Sequence, residues 1–386
     1  MINKWPHYEK DEIFKIEQIL KSGKVNYWTG NEGKNFEKEF AKFAGTKYAI
    51  ALANGSLALS AAYLAINIKE GDEIITTPRT FIATSSAALL LKAKPIFADV
   101  DRDTGCISAK TIKPLINSKT KAISIVHLGG WPADMKSITK IAADNNLKLV
   151  EDCSQAHGAA INGKSVGSFG DIGTWSFCQD KIISTGGEGG MITTNDENIY
   201  RKIFSLKDHG KNFSKYIQKS QNNFNYLHDD LGSNFRLTEL QASIGRIQLT
   251  KLSNWIEIRN RNSKILDDYL KCLSVIRVPD VPQLITHARY RYYCYLKKDC
   301  LKANWSRDLI LSRIKELNLP AYSGSCSEIY LENSISKVSK VADKNLPVAK
   351  ELGENSIAFL VHPTITIKQM HHYAFKIKNI LLLAQK

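Results

Sequence analysis

The chain has 386 residues, 43% hydrophobic and 24% charged, enough for one large domain plus a smaller one and typical of a folded globule rather than a disordered or fibrous chain. Its formal net charge of +15 suits anionic partners, but the lysines are scattered without the interleaved aromatics of a nucleic-acid platform, so the expectation is no nucleic acid and only a field that gathers small anions such as a nucleotide diphosphate. The seven cysteines are far apart with no C-x-x-C pair, no apolar signal segment follows Met1, and no apolar run reaches bilayer length, Ala87 to Leu91 being far too short; these point to a reduced, cytoplasmic protein with no membrane insertion.

From about residue 40 to residue 249, apolar strand candidates alternate with helical runs: Tyr48 to Ala53, Glu73 to Thr76, Pro95 to Asp99, Ala122 to His127 and Lys148 to Glu151. That rhythm predicts an α/β domain with a mainly parallel sheet covered by helices, where ligands sit at strand C-terminal ends. Asn54, Phe81, His127 and Asp152 each fall just past such an end. Asn54-Gly55-Ser56 opens the alanine-rich run Leu57 to Ala65, which places a helix N-terminus, with its unpaired N–H groups and a hydroxyl, where it can hold a phosphate. Further on, Glu151-Asp152 ends an apolar strand, Ser176 follows, and Lys181 precedes the turn Gly186-Gly187-Glu188-Gly189-Gly190.

Within this stretch, Gly158 to Ser165 spells the phosphate-loop pattern G-x-x-x-x-G-K-S letter for letter. A phosphate loop opens directly from its strand into a helix. This segment is delayed after its strand, and Val166 to Gly173 behind it has no helical period, so Asn162-Gly163 is read as a tight hairpin turn instead. Ile203 to Asn234, polar and aromatic with Gln221-Asn222-Asn223 in its middle, reads as a long excursion of the functional or intersubunit kind. Glu239 to Tyr269 is predicted as one long helix leading into a smaller α+β domain, with a strand in Arg289 to Tyr295 and a helix in Trp305 to Leu317. The expected division is a large domain over residues 1–250, whose N-terminal segment can pack on its neighbour, and a small C-terminal domain over residues 251–386. His371-His372 lacks ligand spacing to acids or cysteines, and no metal site is expected.

An acid at a strand end, a lysine before a glycine turn and a phosphate cradle together suit one cofactor, pyridoxal 5'-phosphate. A lysine amine condenses with the cofactor aldehyde and, once displaced by a substrate amine, carries protons as a general base. Lys181 is assigned that role. A carboxylate beside the pyridine nitrogen keeps it protonated, so the ring accepts electrons when a proton leaves the substrate carbon. Asp152 is the candidate.

On these residues the chain resembles the DegT/DnrJ-type nucleotide-sugar aminotransferases, a branch of the fold-type I pyridoxal-phosphate enzymes. The resemblance covers nearly the whole chain, through Ser22 to Gly30, Phe36 to Ala41, Thr80 to Thr84, Glu151 to Gly158, Trp175-Ser176-Phe177 ahead of Lys181, and Gly232 to Ala242. It implies the fold-type I architecture, with Lys181 bonded to the cofactor, Asp152 on the pyridine nitrogen, Gln155 near the phenolic oxygen and Phe81 stacked on the ring. It also implies that Gly55, Ser56 and Ser176 hold the phosphate and that Asn234 comes from the partner chain of a homodimer with shared active sites. The implied substrates are L-glutamate as amino donor and a keto sugar on a nucleoside diphosphate as acceptor, for surface polysaccharide or amino-sugar biosynthesis. Trp28, Arg236 and Tyr322 are candidate substrate contacts, the arginine for a phosphate or carboxylate and the aromatics for a sugar or base. Leu128-Gly129-Gly130-Trp131-Pro132 departs from the family pattern, which often has an aromatic before a single glycine. A related branch that removes a sugar hydroxyl carries histidine at the lysine position, so Lys181 favours amino transfer over the alternative of a sugar dehydratase. Lys181 and Asp152 together also weigh against a non-catalytic regulatory relative.

Overall fold

The computed structural model describes residues 2–218, 226–337 and 346–386. In chain order its strands are β1 (Tyr48–Leu52), β2 (Glu73–Thr76), β3 (Lys94–Phe97), β4 (Thr120–Val126), β5 (Lys148–Asp152), β6 (Ala160–Ile161), β7 (Lys164–Ser165), β8 (Ile172–Ser176), β9 (Gly190–Thr194), β10 (Ile276–Arg277), β11 (Ile285–Thr286), β12 (Tyr292–Leu296), β13 (Ala321–Tyr322) and β14 (Ser356–Phe359). The five strands expected from the sequence all form. The main sheet runs β1-β9-β8-β5-β4-β2-β3; β9 is antiparallel to both neighbours, and the pairs from β8 to β3 are parallel. The α/β fold class read from the sequence is therefore the observed one.

Burial explains the sequence of these strands. In β4 every residue but Lys121 is buried, as a strand covered on both faces requires. The helix Gly55–Ala65 buries Ala58, Leu59, Ala61, Ala62, Tyr63 and Ala65, so small side chains bring its axis close to the sheet. The Tyr63 hydroxyl lies 2.9 Å from Ser124 Oγ on β4 and 3.0 Å from the Thr84 carbonyl, which satisfies the one polar group that this face puts under cover.

The phosphate-loop look-alike is a hairpin. β6 and β7 pair Ala160 with Ser165 and Ile161 with Lys164, and Asn162 and Gly163 turn between them at φ of 50° and 77°, the left-handed pair a two-residue hairpin needs. β11 adds to the other edge of β6. The expected excursion from Ile203 is shorter than read: Ile203 to Lys207 closes the helix Glu197–Lys207, and Phe213–Gln218 is helical. Its apolar positions Ile199, Ile203 and Phe204 are buried at helical spacing, a period hidden by the polar residues around it. Residues 219–225, with the Gln221-Asn222-Asn223 stretch, lie outside the described residues.

The helix Glu239–Leu270 starts at a Thr238–Gln241 capping box and runs from the main sheet to a second one, ordered β10-β12-β14-β13 and antiparallel throughout. Leu266, Tyr292, Phe359, Met370, Tyr373 and Ile377 fill the core beside it with no exposure. The strand expected from Arg289 begins only at Tyr292. Arg289 sits at φ 50°, and the amides of Ala288 and Tyr290 donate across to the carbonyls of Gly130 and Gly129 at 2.9 and 3.1 Å. Residues 3–5 close the molecule: Asn3 Nδ2 donates to the Thr364 carbonyl at 2.7 Å, and the Trp5 ring packs on Trp255, His362 and Arg259. Among the described residues no helix is long and apolar enough to cross a membrane.

Candidate active site

At the C-terminal ends of β4, β5 and β8 lies a cavity of about 970 Å³, bounded opposite by Tyr290, Tyr293, Tyr322 and the 324–326 loop. Its floor is built from the start of the Gly55–Ala65 helix. Asn54 Oδ1 accepts the Leu57 amide at 2.9 Å, and the amides of Gly55 and Ser56 have no intrahelical carbonyl to reach. A Cβ on Gly55 would stand 2.6 Å from Ser176 Cβ. Only glycine lets the helix N-terminus, with its partial positive charge, seat against the end of β8, where Ser176 adds a hydroxyl.

Asp152 ends β5, buried, and both of its oxygens accept: Oδ2 from Thr84 Oγ1 at 2.8 Å and Oδ1 from the Ser154 amide at 3.1 Å. Gln155 is oriented by a residue of the departing loop. The Gly129 amide donates to Gln155 Oε1 at 2.8 Å, which turns the amide nitrogen of Gln155 the other way. Gly129 has φ 63°, and a Cβ there would stand 2.9 Å from the Tyr293 ring. The loop after His127 therefore takes glycine so that an aromatic of the cavity wall can lie against it.

Lys181 Nζ lies 3.3 Å from Asp180 Oδ1 and 5.4 Å from the Tyr290 ring centroid. Asp180 also accepts from the Tyr290 hydroxyl. Burial works to raise the Asp180 pKa, but the Lys181 ammonium and the Tyr290 hydroxyl outweigh it and hold the carboxyl below its usual range. The lysine backbone is tied down from the N-terminal segment: Trp5 Nε1 donates to the Lys181 carbonyl at 2.8 Å, and the Tyr8 hydroxyl lies 3.2 Å from Ser184 Oγ. His157, wholly buried between Trp175 and Phe177, is held down to about 3 by burial, with the charges of Lys181 and Arg259 adding to it.

His127 is a satisfied core residue. Its Nδ1 accepts the Ala133 amide at 3.0 Å, so Nε2 carries the proton and donates to Glu151 Oε2 at 3.0 Å. Glu151 also accepts from the amides of Gly167, Phe169 and Gly170. The ligand atoms of His127, Glu151 and Cys153 come within 4.8 Å of one another, but hydrogen bonds already occupy the first two and burial pushes the Cys153 thiol well above its usual range. A second acidic group, Glu9, Asp11 and Glu12, already surrounds Lys251 Nζ at 2.9 to 3.0 Å.

Of the residues singled out from the sequence, Gly55, Ser56, Phe81, Asp152, Gln155, Ser176, Lys181 and Tyr322 line this one cavity. Asn234, Arg236 and Trp28 lie off its lining and gather round Asp208 instead. Arg236 Nη1 and Lys211 Nζ both donate to Asp208, Asn234 bridges to it through the backbone, and Lys211 Nζ lies 4.0 Å above the Trp28 ring. Burial would raise the Asp208 pKa; Lys211, Arg236 and Trp28 outweigh it and lower the value. Thr84, Asp180, Tyr290, Tyr293 and Arg291 were not expected at the site, and Gly129 was marked only as part of the departure from the family pattern. Thr84 stood in a quoted segment and Tyr290, Arg291 and Tyr293 in an alternating aromatic run, but their contacts join stretches far apart in the chain.

The residues present fit pyridoxal phosphate: a glycine-opened helix start seated so close to Ser176 that a larger residue would push it away, a buried carboxylate accepting on both oxygens, a primary amine, and in Phe81 an aromatic side chain 68% exposed. Comparison with known proteins agrees. The sequence profile of the DegT/DnrJ/EryC1/StrS aminotransferase family matches residues 6–378. The GDP-perosamine synthase of Escherichia coli O157:H7 is 34% identical over 369 residues, 95% of this chain and 95% of its own. The UDP-N-acetyl-3-dehydro-alpha-D-glucosamine 3-aminotransferase of Acidithiobacillus ferrooxidans is 33% identical over 376 residues, 96% of this chain and 94% of its own. Among solved structures, an aminotransferase from Psychrobacter cryohalolentis superposes with a TM-score of 0.96 at 44% identity, over 100% of both chains.

Proposed function

The chain belongs to the DegT/DnrJ/EryC1/StrS aminotransferase family, whose members use pyridoxal phosphate, and from that membership we propose that it moves an amino group from L-glutamate to the keto group of a nucleoside-diphosphate-linked hexose, in amino-sugar synthesis for surface polysaccharide. The carrying observation is that Lys181, Asp152 and the Gly55 helix start face one cavity. When bound, the cofactor supplies an aldehyde that captures primary amines and a ring that accepts the electron pair left when a proton leaves the adjoining carbon.

The side chains have divided tasks. Gly55, Ser56 and Ser176 hold the phosphate through amides and hydroxyls, and Phe81 covers the ring face. Asp152, fixed by Thr84 and Ser154, holds the proton on the pyridine nitrogen. Gln155, aimed by Gly129, has its amide nitrogen free to donate to the phenolic oxygen. Lys181 Nζ would carry the proton that leaves the donor carbon and, in the reverse direction, deliver one to the acceptor carbon. Asp180 and Tyr290 position that amine. Asn234, Arg236 and Trp28, set apart from their own cavity, are read as serving the cavity of a second copy, so the working form is a homodimer with shared sites.

Visible absorbance of the purified protein with and without glutamate tests the reading. The cofactor band should bleach with glutamate in the wild type and be missing from Lys181→Ala, with the melting temperature of that variant kept within a few degrees. A band indifferent to glutamate would sink the donor assignment. For the shared site, mixing Lys181→Ala with Asn234→Ala should restore turnover above either alone, and no gain on mixing would rule it out.

A further inference from the structure

Three tyrosine rings, Tyr290, Tyr293 and Tyr322, stand on the cavity wall opposite the strand ends, and they are not equally free. The Tyr290 hydroxyl is committed to Asp180 beside the lysine, and Tyr322 is 48% exposed. Tyr293 is gripped. Its backbone lies inside the second sheet, where β12 pairs it with Ala358 on β14. A Cβ on Gly324 would stand 2.5 Å from Tyr293 Cε1, and one on Gly129 would stand 2.9 Å from Cε2, on the opposite edge of the ring. Both glycines have positive φ, 91° and 63°, so neither the room nor the backbone at these positions suits a larger residue.

The hydroxyl is tied as well. It accepts the Ser325 amide at 3.1 Å and lies 3.4 Å from Ser325 Oγ. Arg79, wholly buried and off the cavity lining, backs the ring with its guanidinium carbon 5.7 Å from the centroid. Arg79 Nη1 donates to Ser327 Oγ, and the Pro78 carbonyl accepts the Ile329 amide at 3.1 Å. The loop that carries Gly324 and Ser325 is thereby fastened to the segment between β2 and Phe81.

A ring held on both edges and at its hydroxyl gives way only when one of those contacts breaks. The consequence falls unequally on the two molecules that use the cavity in turn. Glutamate has rotatable bonds and adjusts to a fixed wall. A hexose is a closed ring with its substituents at set positions, so a group that meets the wall has nowhere to turn.

We propose that Tyr293 is the specificity-determining residue for the acceptor, a fixed aromatic wall that admits the keto hexose whose substituents clear it and turns away bulkier ones. The proposal rests on the nucleotide-sugar reading above and adds the residue that chooses among such sugars.

The test follows the acceptor half alone. Holoenzyme supplied with pyridoxamine phosphate, the amine form of the cofactor, is mixed with UDP-, GDP- and dTDP-linked hexoses that bear a keto group at carbon 3 or carbon 4. Panel members come in pairs that differ by one ring substituent, a hydroxyl against an acetamido group, and growth of the visible band gives the rate for each. In Tyr293→Ala the preference within pairs should move toward the bulkier member by about tenfold or more, as removal of a pocket contact does. Tyr293→Phe keeps a ring between the two glycines and should keep the wild-type preference within about threefold. A variant that has merely loosened slows both members alike and leaves their ratio where it was. Should Tyr293→Ala not fold, Tyr293→Leu carries the same comparison. The same ratios in wild type and in the variant without the ring overturn the proposal alone. A wild type that forms no band with any member overturns the nucleotide-sugar reading and the proposal with it, whereas bleaching by glutamate, which this experiment does not use, stands or falls separately.

Discussion

Asp152 is held so that it can only accept: Thr84 and the Ser154 amide each give it a proton to share. Its free lone pairs are left for one more donor, the role assigned to the pyridinium. Asp152→Asn keeps the shape but removes the charge that stabilises that proton, so kcat should fall on the order of 10² to 10³-fold, as for loss of one preorganised electrostatic partner, while the absorbance band persists. Steady-state rates beside the spectrum check this, and a fall below about tenfold would dismiss the assignment. His157 and His362 lead to a second prediction. Burial first, then the cations near each, holds both down to about 3, whereas in the unfolded chain they titrate near 6.5. Below pH 6.5 the unfolded chain binds protons that the fold refuses. Stability complete above about pH 6.5 should therefore be lost as pH falls toward 3, at up to about 1.4 kcal/mol per pH unit for each histidine. Melting temperatures across that window should fall less steeply in His157→Asn than in the wild type. That Lys181 and Asp152 would face one cavity was legible because an acid at a strand end and a lysine before glycines are local patterns. Tyr290 and Gly129 were not, since what matters about them is the distant residue each touches.

The helix Gly55–Ala65 shows how an element can be fixed by one missing atom. Gly55→Ala would set a methyl 2.6 Å from Ser176 Cβ, and the backbone of a buried strand gives way little. The expected cost is about 1–3 kcal/mol of stability, as for other overpacked sites, together with about a tenfold weaker hold on the cofactor as the helix start moves from its phosphate. Thermal unfolding and cofactor titration read the two effects separately, and unchanged cofactor affinity would mean that the helix start is not the cradle. Among the elements, the Asn162-Gly163 hairpin was legible because its turn is decided by two adjacent residues. The reversed direction of β9 and the pairing of β11 with β6 were not, because they depend on partners over a hundred residues away or on a crossover that leaves no local pattern.

Across the whole molecule, the long helix Glu239–Leu270 joins two sheets, the first read in the sequence from its alternation of strands and helices and the second only through one strand in Arg289 to Tyr295, while packing of the N-terminal segment on the small domain was expected without the residues that make it. Trp5 carries that packing. It packs on Trp255 and His362, and its indole N–H holds the Lys181 carbonyl. Trp5→Phe keeps most of the packing and removes the N–H, so the melting temperature should fall modestly, by the worth of a hydrogen bond at about 1 kcal/mol, while cofactor retention during dialysis drops. Trp5→Ala should cost about 3 kcal/mol. If Trp5→Phe holds its cofactor as firmly as the wild type, the contact serves packing alone.

The same contact sets an order of events during synthesis. Trp5 is among the first residues made, yet its partners include His362 and, through Asn3, Thr364. At a ribosomal pace of about 5–20 residues per second, the opening segment waits roughly 20 to 70 seconds for the surface it is meant to cover. The loop bearing Lys181 can leave the ribosome and join its sheet long before it is braced, so a nascent chain would hold the cofactor poorly until its last helix is released. The newborn enzyme is in this sense switched on from its far end.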